Sequence, residues 1–168
     1  MARQFGRNRS SGSDKGNRPA YAGNLSTLTG VKTGIANNTA TSIIRVTVPN
    51  SSQNASIQLD LMGWLGAGTD TSESTRYAFG AIVLARTAGV ATVAAAATLA
   101  SAQIATLAGG GTLTLAYGVS SISGAVGVDQ TFDIQVTMVV TGTITDHSCM
   151  WAAQLMNGKD TGVTIAAL

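Results

Sequence analysis

The sequence predicts an all-β protein, an antiparallel two-sheet sandwich preceded by a flexible arm. Three observations predict it. Apolar residues recur every second position over much of the chain, as they do on a strand with one buried face. Gly, Pro, Asn and Ser clusters separate these runs at the spacing of short strands. The composition is dominated by Ala, Thr, Gly, Ser and Val, and only 11% of residues are charged, against about 25% in an ordinary soluble domain. No stretch has the period of an amphipathic helix.

The elements follow in order. Residues 1–23 are rich in Gly, Ser, Asn and Arg without an apolar period. Such a segment buries too little surface to offset its ordering entropy, so it reads as a flexible arm. Residues 24–41 hold scattered apolar residues, Leu25, Leu28, Val31 and Ile35, with glycines at 30 and 34. This is an extended transition segment, free to lie over a neighbouring subunit or over its own body. The sandwich domain is expected over 42–168.

Within it, Ile44, Val46 and Val48 alternate with Ile43, Arg45 and Thr47, and Pro49-Asn50 stops the strand. Ile57, Leu59 and Leu61 begin a second strand that runs to Leu65. TDTSEST (69–75) reads as an exposed loop. Tyr77, Phe79, Ala81, Val83 and Ala85 form a third strand, and a fourth begins at Val90. Alanine favours helix over 94–108, but the Thr and Val interleaving and the lack of charge favour strand or irregular chain. Leu113 and Leu115 mark a fifth strand. Phe132, Ile134, Val136, Met138 and Val140 give the cleanest alternation. Cys149, Trp151, Ala153 and Leu155 then face one way, and Ser148, Met150, Ala152 and Gln154 the other. Asn157-Gly158-Lys159-Asp160 is a turn, and Val163-Thr164-Ile165 is the last strand. About eight strands at this spacing suit a two-sheet sandwich, with a jelly roll as one way of connecting it.

Charge is unevenly placed. Residues 1–18 hold Arg3, Arg7, Arg9, Lys15 and Arg18 against Asp14, a net of +4, and the rest of the chain nets −2. The arm therefore suits contact with an acidic surface, nucleic acid included, or a tether that orders on a protein partner. A body so poor in charge is unusual for a free monomer, and coverage by other subunits accounts for it.

Residues suited to chemistry are few. One cysteine, Cys149, excludes an intramolecular disulfide, and it reads as a small buried hydrophobe. The one histidine, His147, reads as a strand-edge residue. Zinc takes three or four Cys or His ligands, and the chain has two in total. Asp70 with Glu73, and Asp129 with Asp133, lack the spacing of a calcium loop. Gly109-Gly110-Gly111 has no basic residue and is a turn, not a phosphate cradle. The expectation is no enzyme, no cofactor and no metal. No run of 18 apolar residues exists, so no membrane span is expected. Met62 and Trp64 fall on the polar side of their strand, and an exposed Met–Trp pair marks a candidate interface.

The segments NTATSIIRVTVPN (38–50), AIVLARTAGVATV (81–93), SGAVGVDQTFDIQVTM (123–138) and HSCMWAAQLMN (147–157) resemble tailed-bacteriophage virion proteins. These are small all-β proteins of the capsid decoration (cement) or tail-fibre-associated type. The resemblance spans about residues 36–166 and leaves the arm without a counterpart. It implies a homotrimer or other homo-oligomer, made in the host cytoplasm and bound to a major capsid protein at the virion surface. It assigns no contact residue. Two other functions fit the same features. One is a major coat protein whose basic arm contacts the genome. The other is a tail-fibre receptor-binding module.

Overall fold

The computed structural model describes residues 24–65, 74–87, 89–95, 100–105, 113–140, 147–158 and 162–168. Ten strands occupy them: β1 (Asn24–Lys32), β2 (Thr41–Val48), β3 (Gln53–Leu65), β4 (Ser74–Arg86), β5 (Thr92–Ala95), β6 (Ala100–Ala105), β7 (Leu113–Val119), β8 (Gln130–Val140), β9 (His147–Asn157) and β10 (Thr164–Ala167). They form two antiparallel sheets. One is six-stranded in the order β1-β9-β3-β4-β5, with β6 also on β4; the other is four-stranded in the order β10-β2-β8-β7. The expected all-β sandwich is what the chain forms.

The alternation seen in the sequence is the alternation of burial. Ile57, Leu59 and Leu61 of β3 and Cys149, Trp151, Ala153 and Leu155 of β9 point inward, against Phe132, Ile134, Val136 and Met138 of β8. Two sheets stacked about 10 Å apart exclude water from these rows, which is the main favourable contribution to folding. β2 departs from the simple pattern. A register shift between Ser42 and Ile44 lets both Ile43 and Ile44 be buried, as a bulge does. The described residues of the Ala-rich region contribute two strands, β5 and β6.

Residues 24–32, expected as a transition segment, form β1, the edge strand beside β9. The transition segment thus lies over its own body. Gly30 faces inward there, because a side chain at this position would collide with the indole of Trp151, 2.4 Å from a Cβ. Gly80 is a second close approach. A Cβ there would lie 2.1 Å from the Tyr117 ring. β5 and β6 pair with different halves of β4, and the Tyr117 hydroxyl meets the backbone between them. It accepts the Ala81 N–H at 3.1 Å. One inward ring from the four-stranded sheet thus satisfies an edge group of the other.

One end of the sandwich is knitted by polar side chains. Arg86 is buried, and its guanidinium donates to the carbonyls of Gly89, Val48, Pro49 and Val128 and to the Asn50 side chain at 2.9–3.2 Å. Gln130, also buried, accepts the Ala91 N–H at 2.8 Å and donates to Gly124 and Ala125. Asp129 accepts the Asn50 N–H at 2.9 Å. These bonds fix the connections after β2, β4 and β7.

Candidate interaction surface

Strand register assembles the outer face of the six-stranded sheet row by row. In the first row Val31, Met150, Met62 and Tyr77 stand opposite one another on β1, β9, β3 and β4. The next row is Thr29, Ala152, Asp60 and Phe79. The third is Thr27, Gln154, Gln58 and Ala81. The fourth is Leu25, Met156, Ser56 and Val83. Two apolar rows thus flank a polar central band.

Seven large apolar side chains on this face (Leu25, Val31, Met62, Tyr77, Val83, Met150 and Met156) are between 38% and 54% exposed. Single exposed hydrophobes are ordinary, but a row of them at each end of one sheet face marks an interaction surface. Three of the seven are methionines, whose flexible, polarisable side chains adapt to a partner surface. A shallow groove of about 270 Å³ runs among Met62, Tyr77 and Met150, with Thr29 and Asp60 at its margin.

Asp60 is the charged side chain of this face among the described residues. The Tyr77 hydroxyl donates to it at 2.5 Å. That hydrogen bond holds the phenol above its usual titration range, with desolvation adding to the effect.

The outer face of the four-stranded sheet is different. Thr47 and Thr131 stand opposite each other, as do Arg45 and Asp133. Arg45 Nε donates to Asp133 Oδ1 at 3.0 Å, and Nη2 to Oδ2 at 3.3 Å. This two-pronged bond draws the Asp133 carboxyl below its ordinary range and raises the guanidinium. Among the described residues, β2, β7, β8 and β10 expose no large hydrophobic side chain.

The residues singled out in the sequence fall as follows. Met62 is exposed in the first apolar row. Trp64 lies two residues on, half-buried, opposite Ser148 and Thr75. Arg3, Arg7, Arg9, Lys15 and Arg18 lie outside the described residues, as do Asp70, Glu73 and the glycine run at 109–111. His147 opens β9, an interior strand, and is buried; its ring nitrogens have no hydrogen-bond partner among the described residues. Cys149 is buried, and desolvation pushes its thiol up to about 12. Among the described residues no three His, Cys, Asp or Glu side chains gather as a metal site would need, and no helix is long and apolar enough to cross a membrane. Met150, Met156, Tyr77, Val83, Val31 and Leu25 were not foreseen as one surface. Met150 and Met156 carry a local signal, a large apolar residue on the polar side of a strand's alternation. Tyr77 and Val83 lie in the row that reads as apolar, and Leu25 and Val31 in a segment without a period of two.

No family model matches the chain, and no curated protein matches it. Among solved structures it is similar to the crystal structure of the Acinetobacter baumannii phage AM24 tailspike protein, with a TM-score of 0.44 and 9% identity over 84% of this chain. The chain spans 28% of the tailspike's length. A likeness at that level bears on neither activity nor partner.

Proposed function

We propose that the chain is a virion structural protein of the capsid-decoration (cement) type. In this reading it is a homo-oligomer that sits on a major capsid protein lattice and stabilises it, without cofactor or catalytic step. The observation that carries the reading is the contrast between the two outer faces. One is threonine-rich and salt-bridged. The other sets seven large apolar side chains around a single carboxylate. A subunit that works inside an assembly needs such a face. The sequence resemblance to small phage virion proteins supplies the class of assembly, and the basic arm is assigned to contacts with the lattice.

Immunogold electron microscopy of purified virions, with antibodies against the recombinant chain, tests this. Label distributed over the shell is expected. Label confined to tail fibres would move the protein to the fibre-module reading, and unlabelled virions would overturn a virion role. Light scattering on nuclease-treated protein tests the coat-protein alternative: megadalton particles retaining nucleic acid would show that the chain builds a shell itself.

A further inference from the structure

We propose that the outer face of the six-stranded sheet pairs with the same face of a second copy, about a two-fold axis that lies in the interface and runs across the strands. The inference rests on the reading of the chain as an assembling subunit, and it names the partner of this face.

Size is the first argument. Four strands at about 4.8 Å spacing, nine to thirteen residues long at about 3.4 Å per residue, give a face of roughly 750 Å². A stable pairwise interface needs about 800 Å² from each partner.

Symmetry is the second. The proposed axis passes between the Thr29 row and the Thr27 row, and it keeps each strand over its own copy. The first row then meets the fourth. Met150 meets Met156 of the second copy, and Val31 meets Leu25. The central rows meet each other, which sets Asp60 against Gln58 of the second copy. Apolar meets apolar on β1, β9 and β4, Met62 meets Ser56 on β3, and the carboxylate of the face among the described residues meets an amide donor. A buried charge without such a donor would cost several kcal/mol. Self-complementarity of this kind is what an isologous two-fold contact requires. Sheets pack face to face with strands about 30° apart, which the arrangement permits.

The test is sedimentation equilibrium of the full chain at micromolar concentration. A dimer of the 16.9 kDa chain is expected. Met150→Glu should weaken association about 100-fold, because it buries a charge against Met156 of the second copy. Met150→Glu combined with Met156→Lys should recover most of that loss. The two positions lie about 20 Å apart on one strand, so the new pair forms only between chains. Thr131→Glu, on the opposite face, should leave association unchanged. Circular dichroism separates loss of pairing from loss of fold. A monomer, a trimer, indifference to Met150→Glu or failure of the charge swap would each overturn the proposal. Shell labelling with a monomeric free chain would sink this inference and leave the capsid reading standing. A dimer absent from virions would do the reverse.

Discussion

Along β8 the outward side chains are Thr131, Asp133, Gln135, Thr137 and Val139, the last half-buried; along β9 they are Ser148, Met150, Ala152, Gln154 and Met156. The inward rows of the two strands are equally apolar and equally buried. Both strands are interior to their sheets. Folding therefore asks the same of each and receives it from the inner row. The outer rows carry what folding does not require. On the four-stranded sheet that row is suited to water. On the six-stranded sheet it is suited to another protein surface. In a two-sheet sandwich, function is best sought where the solvent side of the alternation breaks its own rule.

The contrast depends on a common interior, and the largest effect should come from breaking that. Gly80→Val would drive a side chain into the Tyr117 ring. A loss of about 3 kcal/mol in urea unfolding is expected, at the upper end of overpacking costs. Tyr117→Phe, which removes the hydroxyl's bonds to the Ala81 N–H and carbonyl while keeping the ring, should cost about 1 kcal/mol.

The interior should also show itself chemically. Cys149 stays protonated up to about 12 when folded, whereas an unfolded thiol ionises near about 8.5. The raised value means that its contribution to stability is complete below the ordinary thiol range and is lost as pH rises toward 12. Iodoacetamide at pH 9 should leave the native thiol unmodified and label it at once in urea. Labelling of the native protein at the unfolded rate would show that β9 opens freely.

Exchanging the character of the two faces sharpens the comparison further. Replacing Met62, Met150 and Met156 with Thr should weaken association and, in the dissociated chain where these are surface positions, change stability by about 0.5 kcal/mol or less per site while lowering hydrophobic dye binding. Placing Met at Thr47 and Thr131 should raise dye binding and create a new tendency to associate. If dye binding ignores both sets, apolar exposure is not what distinguishes the faces.

The smallest effect belongs to the Arg45–Asp133 pair. The Asp133 carboxyl is depressed chiefly by its hydrogen bond from Arg45. Its contribution is therefore present above the ordinary aspartate value of about 3.9 and lost as pH falls through the lowered one. The pair is largely exposed at its arginine, and exposed pairs contribute little. Asp133→Asn should shift the urea midpoint barely beyond measurement error at pH 7, and by less as pH falls below the ordinary aspartate range.

Most of the sandwich was legible because alternation and burial coincide in β3, β8 and β9. In β4 the row read from the sequence, Tyr77, Phe79, Ala81, Val83 and Ala85, faces outward, and Ala78, Ile82 and Leu84 are the buried ones. β1 was not legible. Its inward positions include Gly30, which yields space to Trp151, so the apolar residues at 25, 28 and 31 show no period of two. The division of one edge of β4 between β5 and β6 was hidden too: at Ala81, between the two paired stretches, a tyrosine from the other sheet bonds the backbone. Met62 was legible as an interface candidate from its strand alone. Its neighbours were not, because Met150 and Tyr77 join it only through strand register. Pairing of β3 with β9 connects parts of the chain far apart in sequence, and no local pattern encodes it.

Arg86 carries a consequence for the order of events in folding. Its five nitrogen-borne hydrogens reach partners on the segments at 48–50, 89 and 128, which the chain delivers from three separate connections. Until all three arrive, the guanidinium keeps its water, since burying it half-satisfied would cost several kcal/mol. That end of the molecule thus closes late and in one step. Arg86→Lys, with fewer donors to offer, should accordingly speed unfolding while leaving the folding rate almost untouched.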